Sequence, residues 1–247
     1  MDQKFDAASR NKHLYNTTLT KARWSLKRFG FWHLVSKPIR TVLAPIIIRS
    51  LGKSSFTFGG ETYNYFYNRY NITWANERCV EVPIVKTFID SSEKDGVLEV
   101  GNVLSHYYSP FWDILDKFER GRGVINEDIV DFKPNKRYGL IVSISTLEHV
   151  GYDDNSGDSK NKIIAAVNNL KSNCLKKDGK FVMTAPIGYN PNMDEIIKEN
   201  RLDIKQRFMK KIDRKTWLEV SKKDALVCNY GKPFLYANAI MIGEYGI

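Results

Sequence analysis

Acidic and small polar residues recur where apolar runs end. Val97 and Leu98 lead into Glu99, Val100 and Gly101, and Asp116 closes the run Trp112–Leu115, with Glu119 just after it. Asp128 and Ile129 end the run Val124–Ile129, and Gly139–Ile144 opens into Ser145, Thr146, Glu148 and His149. An acid closing the second run is placed to accept hydrogen bonds from two ribose hydroxyls, and an acid near the third can accept from an adenine amino group. A glycine after the first run lets backbone approach a ligand closely. Asn102, next to it, tolerates left-handed backbone angles and brings an amide of its own. His149 adds a group whose unperturbed pKa suits base work near neutrality.

These residues act together only if the runs are neighbouring strands. Strand candidates are Val97–Val100, Trp112–Leu115, Val124–Ile129, Gly139–Ile144 and Lys180–Ala185. "NERCVEVPIVKTFIDSS" reads as a helix, with Val80, Ile84, Val85, Phe88 and Ile89 on one face. "NKIIAAVNNLKSNCLKKDG" is a second, with Ile163, Ile164, Val167, Leu170, Cys174 and Leu175 inward. Near-continuous apolar strands alternating with helices predict a parallel sheet covered on both faces, which binds ligands beyond the carboxyl ends of its strands. In the tail, "RFMKKI", "TWLEV" and "YANAIMIGEY" suit a last helix and a closing pair of strands.

At this point the chain resembles the class I S-adenosylmethionine-dependent methyltransferases. "VLEVG" looks like their first motif, "ILD" like the acidic end of their second strand and "INEDIVDF" like their third. "YGLIVSISTLEHVG" is similar to the fourth, and "LKKDGKFVMTAPIG" to the turn into the fifth strand. The resemblance covers roughly residues 76–190. It implies an α/β fold with a doubly wound, mostly parallel seven-stranded sheet, and S-adenosylmethionine as methyl donor. By match of position, Glu99 and Gly101 would meet the methionine part, Asp116 the ribose, and Asp128 with Ile129 the adenine; Asn102 and Ser145 join the cofactor set. Three features depart from the pattern: the glycine-rich loop is reduced to Gly101, Gly139 stands where an acid is usual, and the first helix looks short, since only 17 positions separate Glu99 from Asp116. S-adenosylmethionine has no phosphate, so lost glycines count harder against a dinucleotide than against this cofactor.

Methyl transfer from a sulfonium is an in-line displacement, and a hydroxyl acceptor benefits from a base. His149 is the candidate base, with His106 in "SHYY" second; the competing reading makes "LEHV" a turn in which Glu148 and His149 support the fold. "GYDDNSGDS" suggests a calcium loop but misplaces its glycine and has Ile164 where the bidentate Glu belongs, so no metal is expected. "ETYNYFYNRYNITW" alternates Tyr63, Tyr65 and Tyr67 with other residues. It suits either a strand packed on the domain or a surface that stacks on a sugar. A small-molecule or glycan acceptor carrying a hydroxyl or carboxylate follows from the second.

Charge is unevenly placed along the 247 residues. Residues 1–60 hold eleven Lys and Arg against two Asp, which is +9 of the total +10. We divide the chain into a basic N-terminal helical arm, 1–60, and a methyltransferase-like domain, 61–247. In the arm, Arg and Lys are interleaved with large apolar residues over "LKRFGFWHLVSKPIRTVLAPIIIRSLG". That texture suits a helix lying on an anionic membrane, or one packed on the body or a second subunit, and no uncharged run is long enough to cross a bilayer. Nucleic acid is the less favoured partner, because no Asn-Pro-Pro-aromatic motif follows the fourth strand. Three widely spaced cysteines offer no disulfide framework, which favours a cytoplasmic setting. A non-catalytic scaffold that docks partners through the arm stays open as an alternative.

Overall fold

The computed structural model describes residues 31–93, 96–153 and 158–246, the side chains of 31–37 excepted. Helix α1 (Phe31–Leu51) precedes a hairpin of β1 (Ser55–Phe58) and β2 (Glu61–Asn64). After a 3-10 segment at Tyr70–Ala75 comes α2 (Arg78–Asp90). The main sheet then begins with β3 (Val97–Val100), β4 (Asp113–Leu115), β5 (Val124–Ile125) and β6 (Tyr138–Ile144). Helix α3 (Ser159–Asn169), extended by a π-helical turn at Leu170–Cys174, leads to β7 (Leu175–Pro186). Helix α4 (Pro191–Lys198), β8 (Lys205–Lys211), β9 (Trp217–Val220), α5 (Lys222–Leu226) and β10 (Ala239–Tyr245) complete the order.

The sheet runs β5-β4-β3-β6-β7-β10-β8-β9. Its first five strands are parallel, and β10, β8 and β9 add on antiparallel. Alternation along each strand sorts its side chains to two faces. Val97, Leu140 and Val142 pack under Val82, Val85 and Ile89 of α2. Leu98, Val100 and Ile141 pack on the other side with α3 and α4. Helices on both faces make the α/β sheet doubly wound, as the sequence predicts.

Four expectations are corrected. The sheet has eight strands rather than seven, because the expected last helix is strand β8, onto which the chain turns back as β9 where Asp213 Oδ1 accepts from the N–H groups of Lys215 (2.7 Å) and Thr216 (2.9 Å). "RFMKKI" is not a helix: Phe208 and Met209 are buried in different core clusters, as strand alternation requires. The third strand stops at Ile125, since the Asn126 amide turns to donate to the carbonyls of Asp116 (2.7 Å) and Glu119 (2.8 Å). No helix joins β3 to β4; a single 3-10 turn at Leu104–His106 does, and Leu104 with Trp112 fills the face beside α2.

The hairpin also crosses the expected boundary at residue 60. Phe56 and Phe58 of β1 are buried against Met209, Trp217 and Ile240, so β1 packs with the body. Residues 1–30 of the arm, and residues 154–157 of the rejected calcium loop, lie outside the described residues. Among the described residues no helix is long and apolar enough to cross a membrane, and Cys79, Cys174 and Cys228 are free thiols.

Candidate functional site

Strand order reverses between β3, which continues to β4 and β5, and β6, which continues to β7. A cavity of about 530 Å³ opens beyond the carboxyl ends of these strands, where ligands enter sheets of this kind. Gly101, Asn102, Asp116, Asp128, Ile129 and His149 all line it. Six of the eight residues expected from the sequence thus meet in one place.

Gly101 follows β3 with φ +85°, and a Cβ added there would collide with the Thr146 side chain. Both the backbone angle and the space require glycine. Its N–H donates to the Leu115 carbonyl at 2.8 Å, drawing the first turn onto the end of β4. Asp116 completes that joint. Its Oδ1 accepts from the N–H groups of Phe118 (2.8 Å) and Glu119 (2.7 Å), and its Oδ2 from that of Asn102 (3.1 Å). A carboxylate has about four acceptor sites, so Asp116 organises the loop and keeps capacity for a ligand.

Asp128 is less free than its position in the sequence suggests. Lys117 Nζ donates to its Oδ2 at 2.6 Å, and the Val130 N–H to its Oδ1 at 3.0 Å. Partial burial pushes the Asp128 carboxyl up, but the Lys117 hydrogen bond and charge outweigh that and hold it below the usual range. Lys117 and Lys162 face the same cavity. The sequence does not mark either one, for a lysine by itself carries no signal of which way it points.

Glu99 and Ser145 are not among the lining residues. Glu99 is fully buried; its Oε1 accepts from the N–H groups of Val103 (2.9 Å) and Leu104 (2.6 Å), and its Oε2 from Trp112 Nε1 (2.7 Å). It braces the turn after β3 in place of the missing helix. Burial pushes its carboxyl up to about 7, although those hydrogen bonds pull the other way. Ser145 has φ +39° and donates through Oγ to Glu81 Oε1 at 2.5 Å, and Glu81 in turn pairs with Arg78. Ser145 ties the end of β6 to α2, behind the cavity wall.

His149 stands on the 3-10 turn Leu147–His149, between two carboxylates. Nδ1 donates to Asp153 Oδ2 at 2.6 Å, and Nε2 is 3.6 Å from Glu148 Oε1, beyond a hydrogen bond. The Tyr189 hydroxyl donates toward Asp153 at 3.4 Å, and its ring meets the imidazole edge-on at 4.9 Å. Burial acts to lower the His149 pKa, but the Glu148 charge and the Asp153 hydrogen bond prevail, leaving it above its ordinary value. Glu148 is buried, its Oε2 has no hydrogen-bond partner, and burial pushes its carboxyl up to about 7. His106, the second candidate, is stacked on Tyr70 at 4.6 Å and its Nε2 is 3.0 Å from Glu119. Among the tyrosines of "ETYNYFYNRYNITW", Tyr63, Tyr65 and Tyr67 pack against the hairpin's core, and Tyr70 lines the cavity.

No protein-family model matches the chain, and no curated protein sequence does. Similar solved structures include the N-methyltransferase NodS from Bradyrhizobium japonicum WM9 with S-adenosyl-L-homocysteine, at 12% identity and TM-score 0.45, over 68% of this chain and 85% of that one. The glycopeptide N-methyltransferase MtfA with S-adenosyl-L-methionine is 13% identical at TM-score 0.33, over 65% of this chain and 84% of that one. A TehB-like methyltransferase from Corynebacterium glutamicum is 14% identical at TM-score 0.38, over 64% and 84%. Values this low leave the site's own geometry to carry its chemistry.

Proposed function

We propose that the chain is an S-adenosylmethionine-dependent methyltransferase acting on an oxygen acceptor, a hydroxyl or carboxylate of a sugar, glycan or other small molecule near a membrane surface. One observation carries the reading. Gly101, Asn102, Asp116, Asp128 and Ile129, from three successive strand ends, converge on one cavity where strand order reverses.

The residues present fit the cofactor. The cavity volume is in the range of small-molecule pockets. The bare Gly101 backbone gives close approach, Asp116 keeps acceptor capacity for a ribose hydroxyl, and Val100, Leu115 and Ile129 supply apolar wall. Asp128 would accept from an adenine amino group in competition with Lys117. When bound, S-adenosylmethionine supplies a methyl group on a sulfonium, open to in-line displacement.

On the acceptor side the chain's own residues hold and move a proton. Asp153 fixes the proton of His149 on Nδ1, which leaves Nε2 as the basic nitrogen. Nε2 then takes the proton of an acceptor hydroxyl as its oxygen attacks. Tyr70, half exposed on the cavity wall, offers a ring and a hydroxyl suited to a sugar.

A second reading has its own support. Asp116 and Asp128 are already engaged by protein groups, as in a scaffold that keeps the fold without turnover. Incubation with methyl-labelled S-adenosylmethionine and a panel of sugars, carboxylates and glycolipids separates the two. Label in an acceptor, lost in His149→Ala, supports catalysis; cofactor binding with no transfer to any acceptor supports the scaffold.

A further inference from the structure

Helix α1 carries a surface the cavity does not use. Ile39, Val42, Leu43 and Ile46 are 56%, 71%, 44% and 70% exposed. Their spacing of three, four and seven residues puts them on one helical face. On the other side Ala44 is fully buried and α1 packs on the Tyr70–Ala75 turn. The helix is therefore held to the body by one side, with an apolar stripe turned outward, the kind of patch that marks an interaction site.

Charge identifies the occupant. Arg49 is exposed on the stripe's border and exposed Lys53 follows the helix. Residues 7–60 contain no Asp or Glu, and the first sixty residues carry +9 of the net +10. A second copy would bring the same positive charge against itself. An anionic lipid surface supplies both an apolar boundary for the stripe and negative charge for its border.

We propose that the outward face of α1 docks the chain on an anionic bilayer, with Ile39, Val42, Leu43 and Ile46 seated in the interfacial region. Tyr70 belongs to the turn under α1 and also lines the cavity. Docking therefore holds the cavity wall that carries Tyr70 near the headgroups and favours lipid-anchored acceptors. That consequence rests on the methyl-transfer reading; docking itself does not.

The test is sedimentation of the full chain with vesicles of phosphatidylcholine, with and without phosphatidylglycerol. The chain is expected to sediment with the anionic vesicles and to release partly at high salt. The double variant Val42→Asp/Ile46→Asp should bind at least about tenfold more weakly, with thermal melting and S-adenosylhomocysteine affinity unchanged. Equal sedimentation of chain and variant overturns the proposal. So does a chain that ignores anionic vesicles while the variant changes oligomer size, which assigns the stripe to a second copy. A variant that melts lower with no vesicle binding by the parent assigns it to the chain's own N-terminal segment, and also overturns it.

Discussion

The backbone N–H of Asn102 donates to Asp116 Oδ2 at 3.1 Å, tying the turn after β3 to the end of β4. The proposed ribose ligand is thus also the bolt between two walls of its own cavity. Asp116→Ala should weaken S-adenosylhomocysteine binding by about 1.5–3 kcal/mol, the range for hydrogen bonds to a charged group. It should also lower the melting temperature, because three backbone N–H groups lose their acceptor. Asp116→Asn, which keeps one acceptor oxygen, should fall between on both measures. An unchanged dissociation constant in a folded Ala variant removes Asp116 from the site.

His149→Ala should cut turnover by about 10²- to 10⁴-fold with cofactor affinity nearly unchanged. Asp153→Asn separates orientation from fold. It removes a charge that holds the His149 pKa up, so the acidic limb of the pH–rate profile should move to lower pH. A limb that stays in place in Asp153→Asn assigns it to another group.

Three buried groups set a common pH trend in stability. Glu99 and Glu148 are pushed up to about 7, and His149 is raised above its ordinary value. In each case the native state binds more protons than the unfolded chain between the two pKa values, so stability falls as pH rises through that window. Melting temperature should therefore decline from about pH 5 towards pH 8. Glu148→Gln should flatten the part of the decline below neutrality; a rise over the same range contradicts the assignment.

Lys117→Ala tests whether Asp128 faces the ligand. The ion pair is partly exposed, and such pairs contribute no more than about 1 kcal/mol, so melting should barely move. Freed of Lys117, Asp128 should bind the adenine amino group more tightly, read as a lower dissociation constant for adenosine compounds. If affinity falls instead, Lys117 is itself a ligand contact.

What the sequence made legible was local. The runs Val97–Val100 and Gly139–Ile144 read as strands because β-branched and aliphatic residues dominate them, with Glu99 and Ser143 the polar exceptions, and Gly101 and Asp116 followed by position. Side-chain direction was not legible. Glu99 and Asp116 end neighbouring runs alike, yet Trp112 Nε1 and two N–H groups turn Glu99 into the core. Ser145 points behind the sheet because Glu81, sixty-four residues earlier, waits there. The brace Asp153 gives His149 could be read as an i, i+4 pair, but only the 3-10 turn shows that the two meet.

The central claim is that the cavity between β3, β4 and β6 holds S-adenosylmethionine. Calorimetric titration of the full chain with S-adenosylmethionine and S-adenosylhomocysteine tests it most directly, with Asp116→Ala beside it. One-to-one binding of both, on the order of micromolar and weakened in the variant, is the predicted result. No binding by a folded chain, or binding that Asp116→Ala leaves untouched, contradicts it.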